Sequence, residues 1–214
     1  MKTIDCIQCS PEWFAARVGK VSASRLADLT ARTKSGYSTS RANYAAELVA
    51  ERLTGAKAEK FSNAAMQWGT DQEPVARTMY EFMGDAVVTE VGLVLHPSID
   101  MACASPDGLV GSDGLVEIKC PMTASHIETL LGSTIDAKYM KQMQWQMACT
   151  GRLWCDFVSF DPRLPADMQV HIRRVPRDGP MIVELEREVV TFLAEVDATI
   201  SRLLTTYRLS EAAE

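Results

Sequence analysis

The residues best able to do chemistry fall in one short stretch. Ala104-Ser105-Pro106-Asp107-Gly108-Leu109 is followed, with nine residues between Asp107 and Glu117, by Glu117-Ile118-Lys119-Cys120-Pro121. Two carboxylates, an ammonium and the backbone carbonyl of Ile118 make a set of hard oxygen donors with one amine. Such donors suit Mg²⁺ or Mn²⁺. An ion held there can stabilise a phosphoryl transition state and lower the pKa of a bound water, while the lysine orients that water or offsets charge on the phosphate. The chemistry in view is hydrolysis of a phosphate diester.

Each piece alone means little. A Glu-x-Lys pair is ordinarily the solvated face of a strand, and Pro-Asp-Gly is ordinarily a turn. Their order and the turn signal Ser112-Asp113-Gly114 between them change the balance. A turn centred near Ser112-Asp113 pairs residues whose numbers sum to about 225, which sets Asp107 across from Ile118 and within reach of Glu117. Strand alternation then puts Glu117 and Lys119 on one face and sends Ile118 into the core.

Other elements must hold that hairpin. Ser10-Pro11-Glu12 reads as an N-cap, a first-turn proline and a first-turn acid, opening a helix that Gly19 ends. Ser22 can cap a second helix carrying Leu26 and Leu29, and residues 30–40 read as a polar loop. A helix to about Thr54 follows, with Tyr44, Leu48, Val49 and Leu53 on one face and Gly55 as its stop. Ser62 caps a longer helical stretch to Phe82, with a break or kink expected at 69–74 from Gly69 and Pro74.

Short strands are expected at 87–88, 92–95, 101–103, 109–110 and 115–118, helices at 123–131 and 136–150, and strands at 154–160 and 168–175. A long amphipathic helix from roughly Pro180 to Tyr207 closes the chain. The order implies an α/β fold of the α+β type: a mixed sheet with helices on its faces, and no regular βαβ alternation.

Composition narrows the class. The 214 residues are 47% hydrophobic and 23% charged, ordinary for a folded chain of one compact domain. No apolar run approaches the roughly 20 residues that a membrane helix needs, and the N-terminal residues lack the apolar core of a secretory signal, so a cytoplasmic site is expected. The net charge of −6 argues against a protein that simply coats polyanions. Yet Arg17, Lys20, Arg25, Arg32, Lys34 and Arg41 crowd the N-terminal part. Cys6 and Cys9 form a CxxC, but neither a second pair nor close histidines accompany it, so reduced thiols are expected rather than a zinc site.

With these residues in hand, the sequence resembles the phage lambda exonuclease family, the YqaJ-like viral recombinases, within the PD-(D/E)xK nuclease superfamily. The matching segments are Trp13 with Arg17-Val18-Gly19 and Ser22-Ala23-Ser24; Trp68-Gly69 with Glu73 and Ala76-Arg77; Ser105 to Gly108; Glu117 to Pro121; and Tyr139-Met140-Lys141-Gln142 with Gln144. The resemblance implies one exonuclease domain over 1–214, with an N-terminal DNA-contacting part over about 1–60, a nuclease core over about 61–175 and a C-terminal helix over about 180–207. It implies a restriction-endonuclease-like core.

Position by position, it implies Asp107 and Glu117 as metal ligands with the Ile118 carbonyl, Lys119 as the catalytic lysine, and Glu73 at the edge of the metal site. Gln142 would position the lysine and the water from a polar helix face shared with Lys138, Lys141 and Trp145, opposite Tyr139, Met143 and Met147. Arg17, Ser24 and Ser105 would grip a 5′ phosphate. The 30–40 loop, with Arg32 and Lys34, would touch the DNA backbone.

The implied activity is Mg²⁺-dependent 5′→3′ digestion of one strand of linear duplex DNA, with Mn²⁺ able to substitute. It would leave 3′ overhangs for a single-strand annealing partner, and the enzyme would work as a ring-shaped homotrimer. Two positions depart from the family pattern. Pro97 stands where an aspartate is expected, with Asp100 nearby, and Ser125 beside His126 stands where an arginine is expected. The rival readings are an endonuclease or a flap- or junction-cutting enzyme of the same superfamily, a DNA-binding module without turnover, and, more distantly, a zinc protein built on Cys6 and Cys9.

Overall fold

The computed structural model describes residues 1–57, 64–132 and 134–207. Ser10 caps helix α1 (Pro11–Arg17), its side chain accepting from Trp13 N, as its type and place predict. Ser22 does not cap: the chain after it is a turn of 3₁₀ helix (Ala23–Arg25) that runs into α2 (Leu26–Thr30), and Ser22 N donates to the Tyr44 hydroxyl instead. Helix α3 (Thr39–Thr54) ends at Gly55 in the left-handed conformation expected of a glycine stop.

Helix α4 (Ala64–Gly84) runs through Gly69 and Pro74, so the expected break is absent. Proline removes one N–H and frees one carbonyl; here that is the carbonyl of exposed Thr70, which water can satisfy. Burial of Ala76 and Tyr80 against the sheet holds the helix in place. The cap assigned to Ser62 lies outside the described residues.

The strands form two main sheets where the sequence suggests one. The first orders β1 (Lys2–Ile4), β6 (Leu93–Leu95), β7 (Ala102–Ala104) and β2 (Val21–Ser22) as β1-β6-β7-β2. The second orders β5 (Val88–Thr89), β8 (Gly108–Val110), β9 (Gly114–Lys119), β10 (Trp154–Phe160) and β11 (Val170–Pro176) as β11-β10-β9-β8-β5. Only β9 and β10 run parallel in it, and only β2 and β7 in the first, so both sheets are mixed. Residues 30–40, expected as loop, hold a two-stranded ribbon, β3 (Arg32–Thr33) with β4 (Gly36–Tyr37).

Three more helices follow the hairpin: α5 (Thr123–Leu130), α6 (Ala137–Thr150) and α7 (Gly179–Tyr207). Helix α4 covers one face of the five-stranded sheet, where Ala76 and Tyr80 pack on Val116, Ile118, Val158 and Phe160. Helix α6 lies on the other face, where Met143 and Met147 join Leu115, Cys155 and Phe157 in the main core, and α7 packs on α2, α3 and α6 and adds Phe192 to that core. Burial of large apolar side chains of this kind stabilises by roughly 1.5–3 kcal/mol each. Among the described residues no helix is long and apolar enough to cross a membrane.

Candidate active site

The hairpin β8–β9 carries the two key carboxylates. Its observed register pairs Gly108 with Val116 and Val110 with Gly114, one residue away from the expected pairing. Continued past Gly108, it sets Asp107 opposite Glu117 rather than Ile118. Directly opposed residues share a face of the sheet, so the correction brings the two acids onto one side.

Two features of the Pro-Asp-Gly segment follow from this register. A Cβ on Gly108 would stand 2.1 Å from Val88 Cγ1, so the close approach of β5 requires glycine. Pro106 falls opposite Ile118, but its carbonyl accepts from Gln8 Nε2 at 2.8 Å, and the Ile118 N–H donates to Asp107 Oδ2 at 2.6 Å. In an extended strand the N–H and C=O of one residue point the same way, so the Ile118 carbonyl also faces the Asp107 side.

Arg152 clasps the hairpin's turn. Its Nη1 donates to the carbonyls of Val110, Gly111 and Gly114 at 3.1, 2.8 and 2.7 Å. Sequence reasoning missed it, since an arginine just beyond a helix gives no sign of which carbonyls it reaches.

Glu117 is fully buried and fully engaged. Its Oε1 accepts from Gln142 Nε2 at 2.6 Å and pairs with Lys119 Nζ, and its Oε2 accepts from Gln146 Nε2 at 2.5 Å. Burial alone would lower the Lys119 pKa; Glu117 and Asp107 outweigh it and hold the ammonium above its usual value. For Asp107, burial and then the charges of Glu117 and Glu73 raise the carboxyl well above the usual range, against the pull of Lys119 and the Ile118 N–H. Glu73 is raised by burial, opposed by Arg77 and Lys119. Its Oε1 is held by Arg77 Nη2 at 3.1 Å, so it stands at the edge of the cluster with a partner of its own.

This donor set fits a divalent cation, because acids pressed together in a buried place are what a cation relieves. No three acidic, histidine or cysteine side chains close into a metal cage among the described residues. The residues that would hold an ion are Asp107, Glu117 and the Ile118 carbonyl, a small set of the kind Mg²⁺ uses while keeping several waters.

Helix α6 differs from its expected division into a polar and an apolar face. Residues 143–149 are all buried, so about two turns of helix serve several purposes. Trp145 is no part of the site wall: it stacks on His96 and donates to the Cys103 carbonyl at 3.2 Å. Lys141 reaches Thr30 Oγ1 at 2.7 Å, and Lys138 pairs with Asp136 at 3.3 Å. Tyr139, placed on the far face by periodicity, lies 5.3 Å below Lys119 Nζ. The spacing from Gln142 to Gln146, one helical turn, was the available sign that Gln146 also faces Glu117.

A second cluster lies in a cavity of about 480 Å³ lined by Arg17, Lys20, Ser24 and Arg25 together with Trp13, Tyr44 and Glu51. The Arg17 guanidinium stacks on the Trp13 ring at 3.9 Å, and Trp13 Nε1 donates to Ser105 Oγ at 2.8 Å. Arg17 and Ser24 therefore share the cavity, and Ser105 joins through Trp13, two residues before Asp107. Burial draws the Arg17 pKa below its usual value. Arg17 is ion-paired to no described carboxylate, whereas Arg25 is held by Asp28 at 2.7 Å and Glu47 at 2.8 Å.

The remaining positions divide. Arg32 donates to Tyr37 Oη at 2.9 Å and Glu188 Oε1 at 2.6 Å, so its charge is already matched on α7. Lys34 is exposed at the tip of the ribbon. Asp100 is exposed in the turn between β6 and β7. Ser125 lines a cavity of about 200 Å³ with Lys119 and Lys138. His126 is turned inward, between Ser159 Oγ at 2.7 Å and the Met168 carbonyl at 2.9 Å. All six cysteines are free thiols.

A profile of the YqaJ-like viral recombinase domain matches residues 12–153. Among solved structures, an alkaline exonuclease (LHK-Exo) from Laribacter hongkongensis is 54% identical, with 92% of this chain and 97% of that one covered and a TM-score of 0.86. A structure of LHK-Exo in complex with dAMP matches equally well, at 54% identity and a TM-score of 0.86. A phage related exonuclease from Haemophilus somnus 129PT shares 18% identity over 86% of this chain and 96% of its own, with a TM-score of 0.70, a likeness of fold. No curated protein sequence matches.

Proposed function

Because the chain belongs to the YqaJ-like viral recombinase domain family, we propose that it is a Mg²⁺-dependent 5′→3′ exonuclease that digests one strand of linear duplex DNA and leaves 3′ overhangs. The chain is a nuclease of the PD-(D/E)xK fold; polarity, metal and product are the finer reading. The observation that carries it is the meeting of Asp107, Glu117 and Lys119 at the end of one hairpin. The relative at 54% identity is an alkaline exonuclease, and it has been seen with a mononucleotide bound.

A bound divalent ion supplies Lewis acidity toward the scissile phosphate. Everything else falls to the chain. Asp107 is anchored through Oδ2 by the Ile118 N–H, so its place is set by the strand rather than by a flexible side chain. Lys119, kept cationic by Glu117 and Asp107, offsets the negative charge that grows on the phosphate. Gln142 fixes Glu117 and thereby the lysine paired with it. Arg17, already stacked and with no carboxylate partner among the described residues, offers its guanidinium fork to the 5′ phosphate, with the Ser24 and Ser105 hydroxyls as further donors.

The same reading takes the whole chain as one exonuclease domain working on DNA ends in the cytoplasm of a bacterial host. It includes a ring-shaped homotrimer and a single-strand annealing protein that takes the overhang. Lys34 touches the DNA backbone, and Mn²⁺ substitutes for Mg²⁺.

The test uses purified protein, linear duplex labelled at either end, and closed circular duplex. Early release of the 5′ label as mononucleotide, with the 3′ label retained and the circle intact, is the expected result. Cleavage of the circle would make the enzyme an endonuclease, and early loss of the 3′ label would reverse its polarity.

A further inference from the structure

Glu117 is gripped by two amides one helical turn apart, and only Gln142 has a place in the reading above. Gln146 is fully buried on α6 and donates through Nε2 to Glu117 Oε2 at 2.5 Å, while its own Oε1 has no hydrogen-bond partner among the described residues. A buried amide oxygen without a partner is costly, and such groups are rare in folded proteins.

The alternative orientation explains the cost. Turning the amide over would aim Oε1 at a carboxylate oxygen, acceptor against acceptor. Beside a carboxylate that already accepts from Gln142 and pairs with Lys119, only the donor orientation is attractive. The orphaned oxygen is therefore what the molecule gives up to put a donor on Oε2.

We infer that Gln146 is a positioning residue: with Gln142 it clamps both oxygens of Glu117 and fixes the angle at which that carboxylate meets a divalent ion. The clamp is rigid for a structural reason. Gln142 and Gln146 stand on one face of α6, and that helix is locked by Met143, Trp145 and Met147, each fully buried. Without Gln146, Glu117 keeps its Oε1 partners, Gln142 and Lys119, but is free to rotate about them. The lysine pairing would persist and the metal-binding geometry would loosen. Outer partners of metal ligands commonly carry about 10- to 100-fold in metal affinity or activity.

The inference rests on the proposed metal-dependent nuclease activity, and the experiment separates the two. Initial rates on linear duplex are measured against Mg²⁺ concentration for the wild-type chain and for Gln146→Met, which keeps the side chain's length and removes both the donor and the orphaned acceptor. The Mg²⁺ concentration for half-maximal rate should rise about 10-fold or more, with KM for DNA within about twofold of wild type and the variant still unfolding cooperatively in metal-free buffer, its melting temperature lowered by no more than the loss of one charged hydrogen bond allows. Should Gln146→Met fail to fold, Gln146→Asn carries the same test, since its amide falls one carbon short of Oε2.

Unchanged Mg²⁺ dependence in a folded variant would overturn the inference while leaving the nuclease reading intact. So would a lost activity that follows a lowered melting temperature with the Mg²⁺ midpoint unmoved. A wild-type chain whose hydrolysis ignores Mg²⁺ would overturn both.

Discussion

The hairpin centre and the Arg17 cavity meet at Ser105, yet they are built in opposite ways. The centre draws Asp107, Glu117 and Lys119 from a 13-residue stretch on two adjacent strands, with α6 adding its amides from above. Every polar atom of Glu117 is matched there. The cavity draws Arg17 from the end of one helix, Ser24 from a 3₁₀ turn and Ser105 from beyond β7, joined by one indole hydrogen bond. Its central cation rests on an aromatic face and has no described ion-pair partner. A carboxylate held on both oxygens is fixed in place, whereas a cation without a paired carboxylate is open to an anion. On the proposed function, the first is a place for chemistry and the second a place for holding an end.

Substitutions should therefore have different signatures in the two regions. The largest effect is expected at the centre: Lys119→Ala or Glu117→Ala should lower the hydrolysis rate by at least about 10²–10³-fold, with DNA binding by gel shift largely kept. Next, Arg17→Ala should cost about 10- to 100-fold on 5′-phosphorylated ends, the worth of a charged hydrogen bond, and far less on 5′-hydroxyl ends. An equal loss on both kinds of end would erase the distinction drawn here. Arg152→Ala strips three carbonyls of one donor and should lower stability by about 1–3 kcal/mol in a denaturant titration. The smallest effect is expected outside both regions. Lys34→Ala should reduce the slope of log affinity against log salt by about 1, and Arg32→Ala should change it less, because Glu188 already holds that guanidinium.

The same division explains what the sequence made legible. Ser10 with Pro11, Gly55 after its helix, and the strand at 154–160 are local signals, and the structure repeats them closely. The hairpin was readable because a turn and two short strands are also local; only its pairing was off by one, since the loop 111–113 is three residues long rather than two. Strands β1 and β2 left no mark, being two or three residues long and held by partners about 80–90 residues away. The expected break in α4 is absent because packing of Ala76 and Tyr80 outweighs one lost hydrogen bond. Periodicity places Trp145 on the face of Gln142, and only its tertiary neighbour His96 shows that it turns away from the site. Arg152 and Gln146 act across long gaps, where residue type alone gives no direction.

The proposed enzyme needs Asp107, Glu117 and the Ile118 carbonyl to hold one divalent ion together beside Lys119. Anomalous scattering from crystals soaked in Mn²⁺ shows whether they do. The expected result is a peak bonded to oxygens of Asp107 and Glu117 and to the Ile118 carbonyl. A peak seated elsewhere at saturating Mn²⁺, with Asp107 and Glu117 bonded to no ion, would contradict it.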